Sequence, residues 1–202
     1  VATALNNLAM LLEMQGSDAE ARPLLERSLA IQEKALGPEH PRVTTALNNL
    51  ATLLYDKGSY AEARPLFARA LAIWEKSLGP EHPRVATALN NLAALLEMQG
   101  SDAEAHSLHE RSLAIWEKVL GPEHPRVALS LNNLASLLKR QRSYAEARPM
   151  YEQALRGALN HLSLNMAPMT EAERFQYLNI QEGLEPLLLN LVAMQGNGPT
   201  EE

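Results

Sequence analysis

The chain has 202 residues, a formal net charge of −6 and no cysteine, which excludes disulfides and thiolate zinc sites and suits a reducing, cytoplasmic setting. The acidic balance, with a pI near 5.6, argues against nucleic acid, whose phosphate backbone is met by basic faces. No apolar run approaches the roughly 20 residues of a membrane span, and no signal peptide is visible.

Val1, Val43, Val85 and Val127 open near-copies of one sentence, spaced 42 residues apart. A fixed period of about 20–50 residues is the signature of a solenoid of stacked repeats. The chain opens on valine at a repeat boundary, and it reads as a fragment of a longer protein. In the first unit Leu5, Leu8, Leu11 and Leu12 have helical spacing, and Gly16, Gly58 and Gly100 stand as helix stops. Ser17, Ser59, Ser101 and Ser143, each with a glutamate three residues on, predict capping boxes that start a second helix. That helix ends at Leu36-Gly37, and Pro41 suits the first position of the next one. Pro23, Pro65 and Pro149 fall inside the second helix, where each removes a backbone bond; the third unit has Ser107 there.

Residues 1–42, 43–84, 85–126 and 127–162 therefore read as four helical hairpins. Ser163 stands where the connector glycine is due. Residues 163–195, with Thr170 and Glu173 as another capping box, are expected to form helices that cap the last repeat. Residues 196–202 are expected to be disordered.

The hairpin with Leu8-Ala9 in its first helix and Ala21, Ala63, Ala105 and Ala147 early in its second resembles the tetratricopeptide repeat. The usual unit has about 34 residues. The additional length here falls in the second helix and the "LGPEHPRV" connector, a variant similar to the repeats of kinesin light chains and their bacterial relatives. The resemblance covers about residues 1–162 and implies an all-α, right-handed superhelical solenoid with C-terminal capping helices. Residues 171–191 also look like the stretch that precedes CHAT protease domains in bacterial proteins.

Each unit carries two adjacent asparagines. By the resemblance, the column Asn7, Asn49, Asn91 and Asn133 faces the concave groove and holds the backbone of a bound peptide. An amide carries both donors and an acceptor, so it can pair with a peptide unit whatever the side chains. The column Asn6, Asn48, Asn90 and Asn132 is the second candidate. A structural reading stands beside both, in which the amides bond a neighbouring helix or water. Thr3, Met10, Glu13 and Met14 share that face, and its variable columns would set specificity, with Tyr55, Asp56, Lys139 and Arg140 among them. Carboxylate-clamp relatives need a cation early in the first helix, where this chain has Thr and Asn.

Glu39-His40, Glu81-His82 and Glu123-His124 invite a metal reading, but repeats set equivalent residues about 10 Å apart, whereas zinc ligands lie about 2 Å from one ion. Each histidine is expected to cap the helix that follows. His109 shares a packing column with Leu25, Phe67 and Tyr151 and is expected in the core, and Trp74 and Trp116 share a column with Gln32 and are expected to pack between repeats. No catalytic set, metal site or cofactor loop emerges. The expected function is a non-enzymatic scaffold for a protein or peptide partner. The alternatives are a regulatory module of a larger enzyme and end-to-end self-association.

Overall fold

A computed structural model describes residues 1–166, and every regular element among them is α-helical. The elements are α1 (Ala2–Met14), α2 (Asp18–Leu36), α3 (Val43–Asp56), α4 (Tyr60–Leu78), α5 (Pro83–Met98), α6 (Asp102–Leu120), α7 (Pro125–Arg140) and α8 (Tyr144–Met166). They alternate as first and second helices of the 42-residue unit, as the period predicts. The expected C-terminal cap beyond Met166 and the expected disordered tail lie outside the described residues. Helix α8 runs through Ser163 to Met166, because no glycine stops it there as Gly37 and Gly79 stop α2 and α4.

The chain divides into two compact units between Leu108 and His109. In the first, α1 packs on α2, α2 on α3, α3 on α4 and α4 on α5. Val43 and Leu47 of α3 meet Ala70 and Ile73 of α4, with Leu29 of α2 and Leu66 of α4 packed against them. Burying Val43, Leu47 and Ile73 contributes about 1.5–3 kcal/mol each. Exposed ion pairs run along the surface in repeat register: Arg22 to Glu62 at 2.8 Å and Arg64 to Glu104 at 2.9 Å. In the second unit α7 and α8 pack as a hairpin, and the buried Tyr151 hydroxyl lies 2.9 Å from Ser136 Oγ. Leu25, Phe67, His109 and Tyr151 are all buried, as their shared column implies.

Helices α1, α3 and α5 end in the same hydrogen-bonded turn. The N–H groups of Gly16 and Ser17 donate to Glu13 O and Leu12 O, at 2.9 and 2.8 Å, with Gly16 at φ 75°. Those two bonds satisfy carbonyls that the helix end would otherwise leave free. Ser59 and Ser101 repeat the pattern on Leu54 O and Leu96 O.

That turn corrects the expectation of capping boxes. Ser17 and Ser59 do occupy the N-cap positions of α2 and α4, but their side chains make no capping bond. A capping box requires the serine N–H to be free for the glutamate. Here that N–H already closes the preceding helix. The serine backbone, at ψ near 50°, also departs from the extended conformation of a side-chain cap.

Two of the three connector histidines cap the next helix as expected, and His40 does not, because α3 begins only at Val43 with Arg42 at its N-cap. Nδ1 of His40, His82 and His124 each accepts the backbone N–H two residues on, at 3.1 Å. His82 and His124 are the N-caps of α5 and α7, with Pro83 and Pro125 as first helical residues. In the second repeat the helix starts later, at Val43, where Thr44 Oγ1 bonds Pro41 O at 2.5 Å. Pro23, Pro65 and Pro149 lie within unbroken helices and are exposed, so water can reach the carbonyls they leave unbonded.

Candidate functional site

In the first unit a cavity of about 620 Å³ opens where α1, the end of α2 and the start of α3 converge. Asn6 and Asn7 reach it from the middle of α1, Asn49 from α3 and Gln32 from the last turns of α2. Thr3, Thr45 and Met10 complete its polar and apolar walls, and Arg42 stands at the N-cap of α3. The cavity thus unites members of both asparagine columns from two successive repeats. No carboxylate lines it.

The two columns differ in burial. Asn6 is only 6% exposed, and its Oδ1 has no hydrogen-bond donor among the described residues; Asn48 Oδ1 is buried in the same condition. A buried acceptor left unbonded costs about 1–3 kcal/mol. Asn7 is exposed, and Asn49 and Asn91 are half-buried. Asn90, Asn132 and Asn133 are engaged by neighbouring groups.

Tyr55 and Asp56 do not line this cavity. They sit at the far end of α3, where the Tyr55 ring lies 5.5 Å from that of Tyr60. Burial, the neighbouring phenol of Tyr60 and the Asp56 and Glu97 carboxylates push the Tyr55 pKa up. Glu13 shares that corner. Burial raises its pKa, and the Asp18 and Asp56 charges add to the shift. Asp18 in turn pairs with Lys57. Asn132, Asn133, Lys139 and Arg140 belong to the second unit, on α7, where Lys139 and Arg140 form its last turn.

Reading charge along the first helices misses Arg42, because the residue lies in the connector. The signal was present in the sequence: Arg42, Arg84 and Arg126 recur in all three connectors. Among the described residues the Arg42 guanidinium has no ion-pair partner, whereas that of Arg126 lies 4.9 Å from the Trp116 ring centroid. Among the same residues no three His, Asp or Glu side chains cluster as a metal site. Nor is any described helix long and apolar enough to cross a membrane.

The tetratricopeptide repeat family model matches residues 1–58, 42–117 and 104–160. The chain belongs to the tetratricopeptide repeat family. Two solved structures from Podosopora anserina, named for a putative kinesin light chain with nearly identical TPR-like repeats, are similar to it. One is 27% identical with a TM-score of 0.70, covering 98% of this chain and 96% of that one. The other is 26% identical with a TM-score of 0.63, covering 98% and 97%. BtubC (BKLC) from P. vanneervenii shares the fold at 22% identity and a TM-score of 0.71, covering 98% of this chain and 82% of its own. No curated protein matches the chain. Tetratricopeptide repeats generally mediate protein–protein interaction, so the fold points to a protein partner.

Proposed function

We propose that the chain is a non-enzymatic scaffold that holds an extended peptide along the face of the first unit bearing Asn7, Asn49 and Asn91. The observation that carries this reading is the cavity that unites Asn6, Asn7 and Asn49. The accessibility of the clamp column supports it: Asn7 is exposed and Asn49 and Asn91 are half-buried, so a ligand can reach their amides. Packed helices lie about 8–10 Å apart and an extended peptide advances about 3.3 Å per residue. One amide per repeat therefore grips the ligand about every third residue at the closest.

The test is a peptide-display selection on the parent and on a variant with Asn49 and Asn91 changed to Ala, both first matched in helicity and melting. Peptides that bind the parent and fade on the variant support the clamp. Equal binding assigns the asparagines to structure.

A second reading, end-on self-association, rests on the outer face of α1. Leu8 is 46% and Leu11 51% exposed, whereas Leu50 and Leu53 in the same columns are 6% and 3% exposed. Sedimentation across a hundredfold range of concentration tests it. A constant monomer rejects the idea.

A further inference from the structure

The first and third repeats differ at six positions, and one of them sets Gln32 against Trp116. Trp74 holds that place in the second repeat. Both indoles are buried, at 9% and 7% exposure. Trp74 Nε1 has no acceptor among the described residues, so this indole is held by shape rather than by a hydrogen bond. Gln32 instead folds back on its own helix. Its Nε2 donates to Ser28 Oγ at 3.3 Å, and Ser28 Oγ donates to Ala2 O at 2.9 Å.

The connector arginines follow the same contrast. Arg126 is to Trp116 what Arg42 is to Gln32, and in the third repeat the guanidinium stacks over the indole. In the first repeat Arg42 and Gln32 both line the open cavity.

We propose that this column decides which repeat junction of the first unit admits a ligand side chain: Trp74 fills the second junction, and Gln32 leaves the first one open beside Arg42. The inference rests on the peptide-binding reading and narrows it to one junction and one inserted side chain of indole size or smaller. That side chain is neutral or acidic. A lysine or arginine would face Arg42 with no carboxylate in the lining to offset the repulsion.

The experiment compares the parent, Q32W, Q32A and W74Q, using peptides enriched by display on the parent. Q32W should raise Tm by about 5 °C as the added indole is buried, and should weaken peptide binding at least tenfold. Q32A should bind within threefold of the parent. W74Q should open a second side-chain pocket under the same peptide. Peptides lengthened by a random segment beyond the first anchor should therefore gain at least tenfold on W74Q over the parent, and this arm keeps the idea open to refutation if Q32W fails to fold. A Q32W protein that melts higher yet binds as the parent does overturns the gating. So does an unchanged Tm, or a W74Q protein that binds the lengthened peptides no better than the parent does. Peptides that ignore Q32W but fade when Asn49 and Asn91 become Ala leave the clamp standing and sink only this inference. If no peptide is enriched on the parent, both fall.

Discussion

The Nδ1 of His124 accepts the backbone N–H of Arg126 at 3.1 Å and so caps helix α7. Only a neutral imidazole with its proton on Nε2 can accept there. Burial lowers the His124 pKa, and the neighbouring His161 on α8 and Arg126 on α7 lower it further. A depressed pKa means that the folded chain binds protons less readily than the unfolded one. The cap's contribution is therefore complete above the unfolded value of about 6.5 and is lost as pH falls through the lower folded value. His124→Asn keeps a side-chain acceptor but removes the titration. Thermal melts between pH 5 and 8 should show the parent weakening towards acid and the variant weakening less. Parallel curves would remove His124 from the explanation.

Arg142 adopts φ 64° where Gly16, Gly58 and Gly100 stand in the other repeats. It closes the same turn, with its N–H on Lys139 O at 3.0 Å and the Ser143 N–H on Leu138 O at 2.9 Å. A side chain in the left-handed region is strained by its Cβ, by about 1 kcal/mol. Arg142 is exposed, so replacing it sacrifices little packing. Arg142→Gly should stabilise the chain by up to about 1 kcal/mol, less what the freer unfolded chain recovers. The urea midpoint measures it, and a lower midpoint refutes the strain.

Glu13 is held in its corner with Oε1 buried and without a donor among the described residues. Its raised pKa means that the folded state disfavours the carboxylate. As pH rises from the unfolded value of about 4.3 through the folded one, Glu13 therefore takes stability away, and the deficit persists at neutral pH. Glu13→Gln should be the more stable protein at pH 7, with the gap closing near pH 4. Denaturant midpoints at the two values decide it. A variant weaker than the parent at pH 7 would mean that the carboxylate has a partner it needs.

What the sequence makes legible here is whatever recurs. The 42-residue period and the glycine stops each appear at least three times and are found where the spacing places them, and the histidine caps are found at His82 and His124 but not at His40. The serine caps mislead because a local motif competes with a bond from the preceding turn: the Ser17 N–H is already given to Leu12 O. The cavity is half legible. Asn6, Asn7 and Asn49 could be assigned to one face by helical register, but Arg42 enters from a connector whose path no periodicity describes. The effect of Gln32 depends on the size of the side chain relative to the space around it, which spacing alone does not give.

Gly157 lies inside the continuous helix α8, in the column of Ile31, Ile73 and Ile115. A Cβ built there would meet Glu123 Cα at 3.4 Å and Pro122 O at 3.5 Å, ordinary contact distances against the connector. Alanine therefore fits, and removing a helix-interior glycine is worth about 0.5–1 kcal/mol. Isoleucine, the residue of the other repeats, would push further atoms into that backbone, and overpacking costs about 1–3 kcal/mol. Gly157→Ala should raise Tm and Gly157→Ile should lower it. The opposing signs are the check. If both raise Tm, the connector can yield and α8 is held less closely to Pro122 and Glu123 than their distances imply. If both lower it, Gly157 is kept for a backbone freedom that its helical setting does not require.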